Sequence, residues 1–167
     1  WNILARFVEN GWSEVIKRHN EHFIPIFFAV YFVEIELFQE FYLGFVLVSC
    51  VLLAINSLLC AKLVRAFFIH TKEICDTSKL IAILYAINAS HAEGIQWALA
   101  QCTLLSLLFA SLSLLKITNY FKFGRLSELL FAAFFTLISC LTFGNGFATF
   151  LAISCVALYF VFLYSSF

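Results

Sequence analysis

Long uncharged runs alternate with short charged connections along the chain. The uncharged runs cover residues 41–61, 94–115 and 129–167, and shorter apolar stretches cover residues 23–33 and 80–90. A helix needs about 20 predominantly apolar residues to cross the hydrocarbon core of a bilayer. The pattern therefore predicts an all-α protein, a polytopic helical membrane bundle with four to six spans and the lipid bilayer as its surroundings.

Three segments differ in their pattern. Residues 1–22 place apolar and charged positions at helical spacing, which is typical of an amphipathic helix at the membrane interface; a solvated helix packed on a partner fits equally. Residues 23–125 hold the predicted transmembrane bundle, and residues 126–167 hold one or more further apolar spans. The apolar positions of the first segment are Trp1, Leu4, Val8, Trp12 and Val15.

The last uncharged run is too long for a single span. It covers residues 129–167, and Gly144-Asn145-Gly146 interrupts it with glycines that permit a change of backbone direction. Two interpretations stay open. The run breaks at these glycines into two helices, or an interfacial linker helix leads into one long tilted span.

Composition favours a membrane protein and argues against several classes of function. Charged residues make up 12% of the chain and its mean hydropathy is +0.99, whereas soluble domains are roughly a quarter charged. Ten basic and ten acidic side chains balance, which argues against a nucleic-acid partner. The six cysteines form no C-x-x-C pair, so packing is their expected role. The sequence contains no nucleotide-binding, protease or hydrolase motif, and we predict no enzyme activity and no cofactor.

Two clusters contain metal-binding residue types. His19 with His22, and His91 with Glu93, do not complete a ligand set, so we predict no metal site. His91 is the one histidine that approaches a span and is the remaining metal candidate. Asn88 begins the glycosylation sequon Asn-Ala-Ser and, if glycosylated, would lie on the lumenal or extracellular side.

Three acidic residues follow the short apolar stretch 23–33, namely Glu34, Glu36 and Glu40. Acids at membrane depth are costly and usually pair or line a water path, whereas acids at the headgroups need no partner. Glu36 and Glu40 are four residues apart and share a helical face, so they could meet basic residues of a neighbouring helix. The sequence leaves both interpretations open.

Basic residues recur every three positions where the run 94–115 ends. Lys116, Lys122 and Arg125 share this spacing, and Asn119 takes the remaining position. One interpretation is a cytoplasmic anchor that follows the positive-inside rule. The other is a gating helix, because a charge that crosses the membrane field changes its energy by about 2.3 kcal/mol per 100 mV. The spacing alone favours the anchor.

A fixed order of features begins at Trp97. The uncharged run follows it, then Lys116, the stretch ITNYFKFGR up to Arg125, and the sequence LSEL. This order resembles the polycystin branch of the TRP channels, in which a tryptophan opens a fourth segment that ends in a lysine, an aromatic-rich stretch and an S-x-L linker. TFGNGFATFLAISCVALYFVF is similar to the fifth segment of that family, and VYFVEIELFQ is similar to the acidic end of its second segment.

The resemblance implies that residues 23–125 form a voltage-sensor-like transmembrane bundle and that residues 126–167 hold a linker and the first pore-domain helix. These would be segments two to five of a longer subunit, because the family's extracellular domain, selectivity filter and sixth span have no counterpart here. The resemblance further implies a cation channel that transports calcium, assembles as a tetramer with other channel subunits, and lies in the plasma or ciliary membrane. The implied topology puts residues 65–79 outside the membrane and residues 116–125 inside.

The resemblance also assigns roles to individual residues. Lys116 would hold a gating-charge position, with Glu34 or Glu36 as its countercharge. Lys122 and Arg125 would lie at the turn into the linker that couples sensor to pore.

A second class of function fits the same composition. A non-catalytic structural subunit of a large membrane complex, such as a respiratory assembly of the mitochondrial inner membrane, would also be rich in phenylalanine and cysteine. In that case His91 would contact lipid, quinone or haem.

Overall fold

The computed structural model describes residues 5–6, 9–17, 24–39, 41–67, 72–88, 92, 95, 100–143 and 146–165. Within these residues the chain forms six α-helices and one 3₁₀ turn and contains no β-strand, which confirms the predicted all-α class. The 3₁₀ turn is Gly11–Glu14, and the helices are α1 (Pro25–Phe38), α2 (Tyr42–Phe67), α3 (Lys72–Ala86), α4 (Gln101–Phe123), α5 (Leu126–Thr142) and α6 (Gly146–Ser165).

The 3₁₀ turn packs on α1. The Trp12 ring meets the Phe32 ring edge-on, with 4.6 Å between the ring centroids. Glu14 is buried and pairs with Arg6 and with Lys17, whose Nζ lies 2.8 Å from the carboxylate. The hydrogen bond from Lys17 holds the pKa of Glu14 below its usual value, although burial acts in the opposite direction. The interfacial position of residues 1–22 stays a prediction.

A tight corner joins α1 to α2. Pro25 starts α1 at a position where its missing N–H loses no helical hydrogen bond. Gln39 ends the helix with a φ of 51°, and its N–H donates to the Ile35 carbonyl at 2.7 Å. A Cβ at Gly44 would overlap the Phe38 ring. The close approach of α1 to α2 therefore requires glycine at this position.

α2 and α4 run parallel to each other. Near their first turns the Gln101 amide donates to the Phe45 carbonyl at 2.7 Å, and near their last turns Lys122 Nζ donates to the Ala66 carbonyl at 2.5 Å. α3 lies between α2 and α4 in the sequence, and it packs along α2. The end of α2 therefore lies at the same end of the bundle as residues 116–125, which corrects the topology that the resemblance implies.

α4 and α5 form an antiparallel hairpin. Gly124 closes α4 in the left-handed conformation with a φ of 65°, where glycine is the usual residue. Ser113 Oγ donates to the Ala132 carbonyl at 2.7 Å, and Ser106 Oγ lies 3.0 Å from Ser139 Oγ. The paired positions rise along α5 as they fall along α4, so the two helices run in opposite directions.

The uncharged run 129–167 folds as two helices. α5 ends at Thr142 and α6 begins at Gly146, while Gly144 and Asn145 lie outside the described residues. α6 packs on both α4 and α5, and Thr149 Oγ1 lies 3.3 Å from Ser139 Oγ. Of the two interpretations left open by the sequence, the break near the glycines is the one that the helix bounds support.

Two apolar clusters hold the helices together. The first joins α1 to the start of α2 and of α4, and its buried aromatic members are Phe27, Phe28, Tyr31, Phe32 and Phe45. The second lies between α2 and α4 and consists of Leu52, Leu53, Leu104 and Leu105.

Candidate functional site

The bundle buries many of its polar side chains and exposes large apolar ones. On α2, Ser49, Asn56 and Ser57 are at most 7% exposed. Large apolar side chains that are 39–64% exposed recur every three or four residues, at Leu43, Leu47, Val51, Ile55 and Leu58. We name these five residues the outer row of α2. Contiguous apolar surface of this kind marks contact with lipid or with a partner protein.

Hydroxyl groups join α4, α5 and α6. Ser139 Oγ donates to the Ser106 carbonyl at 3.0 Å and lies 3.3 Å from Thr149 Oγ1. Two turns along the hairpin, Ser113 Oγ lies 2.8 Å from Thr136 Oγ1. Small hydroxyl residues let helices approach closely and supply hydrogen bonds between them, as is common where helices pack within lipid.

Two amide side chains join α2 to α4. Asn56 Nδ2 donates to the carbonyls of Leu52 at 3.0 Å and Leu104 at 2.9 Å, and Gln101 binds the start of α2 in the same way. Asn56 Oδ1 is buried and has no hydrogen-bond partner among the described residues. Neither amide belongs to a motif that predicts a functional residue. Their position inside uncharged runs was the available signal, because polar residues at depth in a predicted span usually have a partner.

Lys116 pairs with Glu128 across the turn between α4 and α5. Its Nζ lies 3.0 Å from the carboxylate, with both side chains partly buried, and 5.3 Å from the centroid of the Phe131 ring. Asn119 Nδ2 lies 3.5 Å from the same carboxylate. The resemblance implies Glu34 or Glu36 as the countercharge of Lys116, but the structure has Glu128 in this place.

Glu34 lies far from Lys116. Glu34 is buried beside Gln101, Glu36 is exposed, and Glu40 lies outside the described residues. Gln101 and Lys116 are 15 residues apart on α4, which corresponds to about 22 Å at 1.5 Å per residue. The structure therefore does not bring Glu34 to Lys116.

Basic residues gather where α2 and α4 end. Lys122 contacts the last turn of α2 through the Ala66 carbonyl, and Arg125 is exposed with its guanidinium carbon 5.9 Å from the Phe123 ring centroid. Arg65 Nε donates to Ser78 Oγ on α3 at 2.8 Å. We name this region the basic end, and its members are Lys62, Arg65, Lys116, Lys122 and Arg125.

The remaining predicted residues lie elsewhere. Asn88 is exposed just after α3, at the opposite end of that helix from the basic end. His91 lies outside the described residues. Within the described part of the chain, no group of three or more His, Cys, Asp or Glu side chains is placed to hold a metal ion.

A groove of about 370 Å³ lies between α4 and α6. Its walls consist mainly of small and apolar side chains and include no charged residue. The groove therefore brings together hydroxyl groups and apolar surface, but no acid, base or cation that could take part in catalysis.

These features define an all-α protein with two helices, α2 and α4, that are long and apolar enough to cross a membrane. No protein-family model, curated protein or solved structure matches the chain. The resemblance to polycystins stays a prediction from the sequence.

Proposed function

We propose that the chain is a membrane-embedded, non-catalytic subunit of a larger membrane assembly, with α2 and α4 as its two long spans and α3 returning the chain across the membrane between them. The observation that carries this proposal is the outer row of α2, which covers one side of a helix whose buried face holds Ser49, Asn56 and Ser57. Such a surface is unfavourable in water and favourable against lipid or an apolar partner helix. The hydroxyl groups between α4 and α5 support the same reading, because they provide directional contacts where apolar packing alone does not select a partner.

The basic end supports one orientation in the membrane. Parallel α2 and α4 bring their terminal cations to the same side, and connections rich in lysine and arginine remain on the cytoplasmic side. Asn88 would then lie on the lumenal or extracellular side, where a sequon can be glycosylated.

Accessibility of thiols on α2 tests the membrane position. Cys50 and Lys62 are both exposed and lie 12 residues apart on this helix, or about 18 Å. We would place the full chain carrying Lys62→Cys in sealed phosphatidylcholine vesicles and treat it with a membrane-impermeant maleimide. Position 62 should be labelled and Cys50 should remain unlabelled, because a charged, membrane-impermeant reagent does not enter the hydrocarbon core.

The same sample supplies its own control. After dissolution in dodecyl sulfate, both positions should be labelled, which shows that Cys50 is chemically competent. If Cys50 in intact vesicles is labelled as fast as position 62, α2 does not span the membrane and the proposal fails.

A second candidate is the cation-channel subunit that the resemblance implies, assembled as a tetramer. One observation favours it: Lys116 lies in the last turns of α4, where the resemblance places a gating charge. In this case Glu128, rather than Glu34, would be the countercharge of Lys116.

Currents across the membranes of cells that express the chain together with the other subunits of the channel test this candidate. Lys116→Gln should shift the voltage dependence of the current, whereas Lys122→Gln, at an exposed position, is the matched control with the same loss of charge. If there is no current, or if both variants and the original chain give the same conductance–voltage curve, the channel candidate fails and the structural subunit remains.

A further inference from the structure

Glu34 is a buried carboxyl group, and no described residue supplies its countercharge. Glu34 is 4% exposed, and neither of its carboxyl oxygens has a hydrogen-bond partner among the described residues. An ionised carboxylate that is enclosed in this way loses its hydration, at a cost of several kcal/mol. The usual outcome is that the group binds a proton and becomes neutral.

The elements around α1 bring no cation to Glu34 in the part of the chain that the structure describes. α1 packs on the 3₁₀ turn, α2, α4 and α5. Glu14 of the turn already holds the nearby cations Arg6 and Lys17. Among the described residues, the titratable side chains of α1 and of the elements at this end of the bundle are Glu14, Tyr31, Glu36, Tyr42, Cys102 and Cys140. The basic end is about 22 Å further along α4.

The polar neighbour of Glu34 is a neutral amide. Gln101 is 2% exposed, lies beside Glu34, and donates to the Phe45 carbonyl at 2.7 Å. An amide can share hydrogen bonds with a carboxylic acid, but it does not compensate a negative charge. The surroundings therefore fit the protonated acid, and an ionised Glu34 would require water or a cation to enter between α1 and α4.

We propose that Glu34 is an exchangeable proton-binding site between α1 and α4, and that proton occupancy keeps α1 packed on the bundle. With the proton bound, the neutral carboxyl group stays within the aromatic cluster that includes Tyr31 and Phe45. Loss of the proton leaves a carboxylate that favours hydration, which loosens α1. The inference does not depend on the proposed membrane position, because protein side chains bury Glu34 in either setting.

Modification by dicyclohexylcarbodiimide tests the site directly. This apolar reagent takes the carboxyl proton onto a nitrogen while the carboxyl oxygen adds to its central carbon, and the adduct rearranges to a stable N-acylurea. Peptide mass spectrometry of the full chain then locates the adduct. Near pH 6 an exposed carboxyl is only about 2% protonated, so we expect Glu34 to react at least about tenfold faster than exposed carboxyls. Its reaction should slow as the pH rises toward about 9.

Glu36 is the matched control, because it is exposed on the same helix two residues away. Glu34→Gln should abolish the adduct at position 34 and leave the rest of the peptide map unchanged. If Glu34 gives no adduct at any pH, or reacts no faster than Glu36, the site does not bind a proton and the proposal is overturned.

Amide hydrogen exchange tests the link between the proton and α1. Glu34→Gln imitates the protonated form, so the variant should fold with α1 packed at every pH. At about pH 9 we expect α1 amides of the original chain to exchange several-fold faster than those of the variant, and near pH 6 the two should agree. Equal exchange at both pH values would show that proton occupancy does not control the packing of α1.

Discussion

Substitution of Asn56 measures how tightly α2 and α4 enclose their polar contacts. Asn56 is 2% exposed, its Nδ2 bridges the carbonyls of Leu52 and Leu104, and its Oδ1 has no partner in the described part of the chain. Three replacements separate these contributions. Alanine removes the amide and leaves a void, leucine removes it and fills the void, and aspartate exchanges the donor for a charged acceptor.

The expected magnitudes follow from the contacts. The bridge to Leu104 is worth about 0.6 kcal/mol if it resembles other hydrogen bonds between helices in lipid. A void of about 40 Å³ adds about 1 kcal/mol for the alanine variant. Removal of the buried Oδ1, which has no partner among the described residues, raises the free energy of unfolding of both apolar variants by about 1 kcal/mol. Asn56→Leu should therefore lie within about 1 kcal/mol of the original chain, and Asn56→Ala should cost about 0.5–1.5 kcal/mol. Asn56→Asp would place an unpaired charge against two carbonyl oxygens and should cost about 3–5 kcal/mol.

The free energy of unfolding of the purified chain, measured by dodecyl sulfate titration of detergent-solubilised protein, ranks the three variants. The predicted order of stability is leucine, alanine and aspartate, from highest to lowest. An aspartate variant within about 1 kcal/mol of the original chain would refute the reasoning, because its charge would have to reach water. Position 56 would then not be enclosed between the two helices.

Three further outcomes follow from the same contacts. Ser113 is fully buried between α4 and α5, so Ser113→Leu should lower the free energy of unfolding by about 2–3 kcal/mol and Ser113→Ala by less than about 1 kcal/mol. The partly exposed Lys116–Glu128 pair should show a coupling of about 1 kcal/mol or less in a double-mutant cycle, and a larger value would indicate a dry pair. The lowered pKa of Glu14 means that its stabilising contribution is present at neutral pH and is lost on acidification. Tryptophan fluorescence should therefore change in acid less in Glu14→Gln than in the original chain.

The uncharged runs allowed the all-α class and most helices to be predicted, whereas the charged positions led to errors. Residues 41–61 and 94–115 correspond to α2 and α4 because their length and composition suit a buried or lipid-covered helix. The first half of α3 was harder to predict, since its charges suggested a connection. In the structure Asp76 and Lys79 pair along the helix at 3.0 Å while Ser78 is fully buried.

The candidate site was less accessible to sequence reasoning, because it depends on which helices meet. The period of three singles out Lys116, but its acidic partner lies on the next helix, which only the hairpin geometry brings close. Buried Asn56 and Gln101 carry no spacing signal, since each makes its contact with a different helix. The sequence shows Glu34 as an acid near an apolar run, but it does not show that the described residues leave its carboxyl oxygens without a partner.

The position of α3 also removes a conflict in the charge pattern. If residues 65–79 and 116–125 lay on opposite sides of a membrane, basic connections would occur on both sides, which the positive-inside rule disfavours. The 2.5 Å contact between Lys122 and the Ala66 carbonyl instead puts the end of α2 and the end of α4 on one side. Because α3 reverses the direction of the chain between them, the proposed membrane topology can place every member of the basic end on one surface. The directions of α2, α3 and α4 are therefore sufficient to give a topology that satisfies the positive-inside rule.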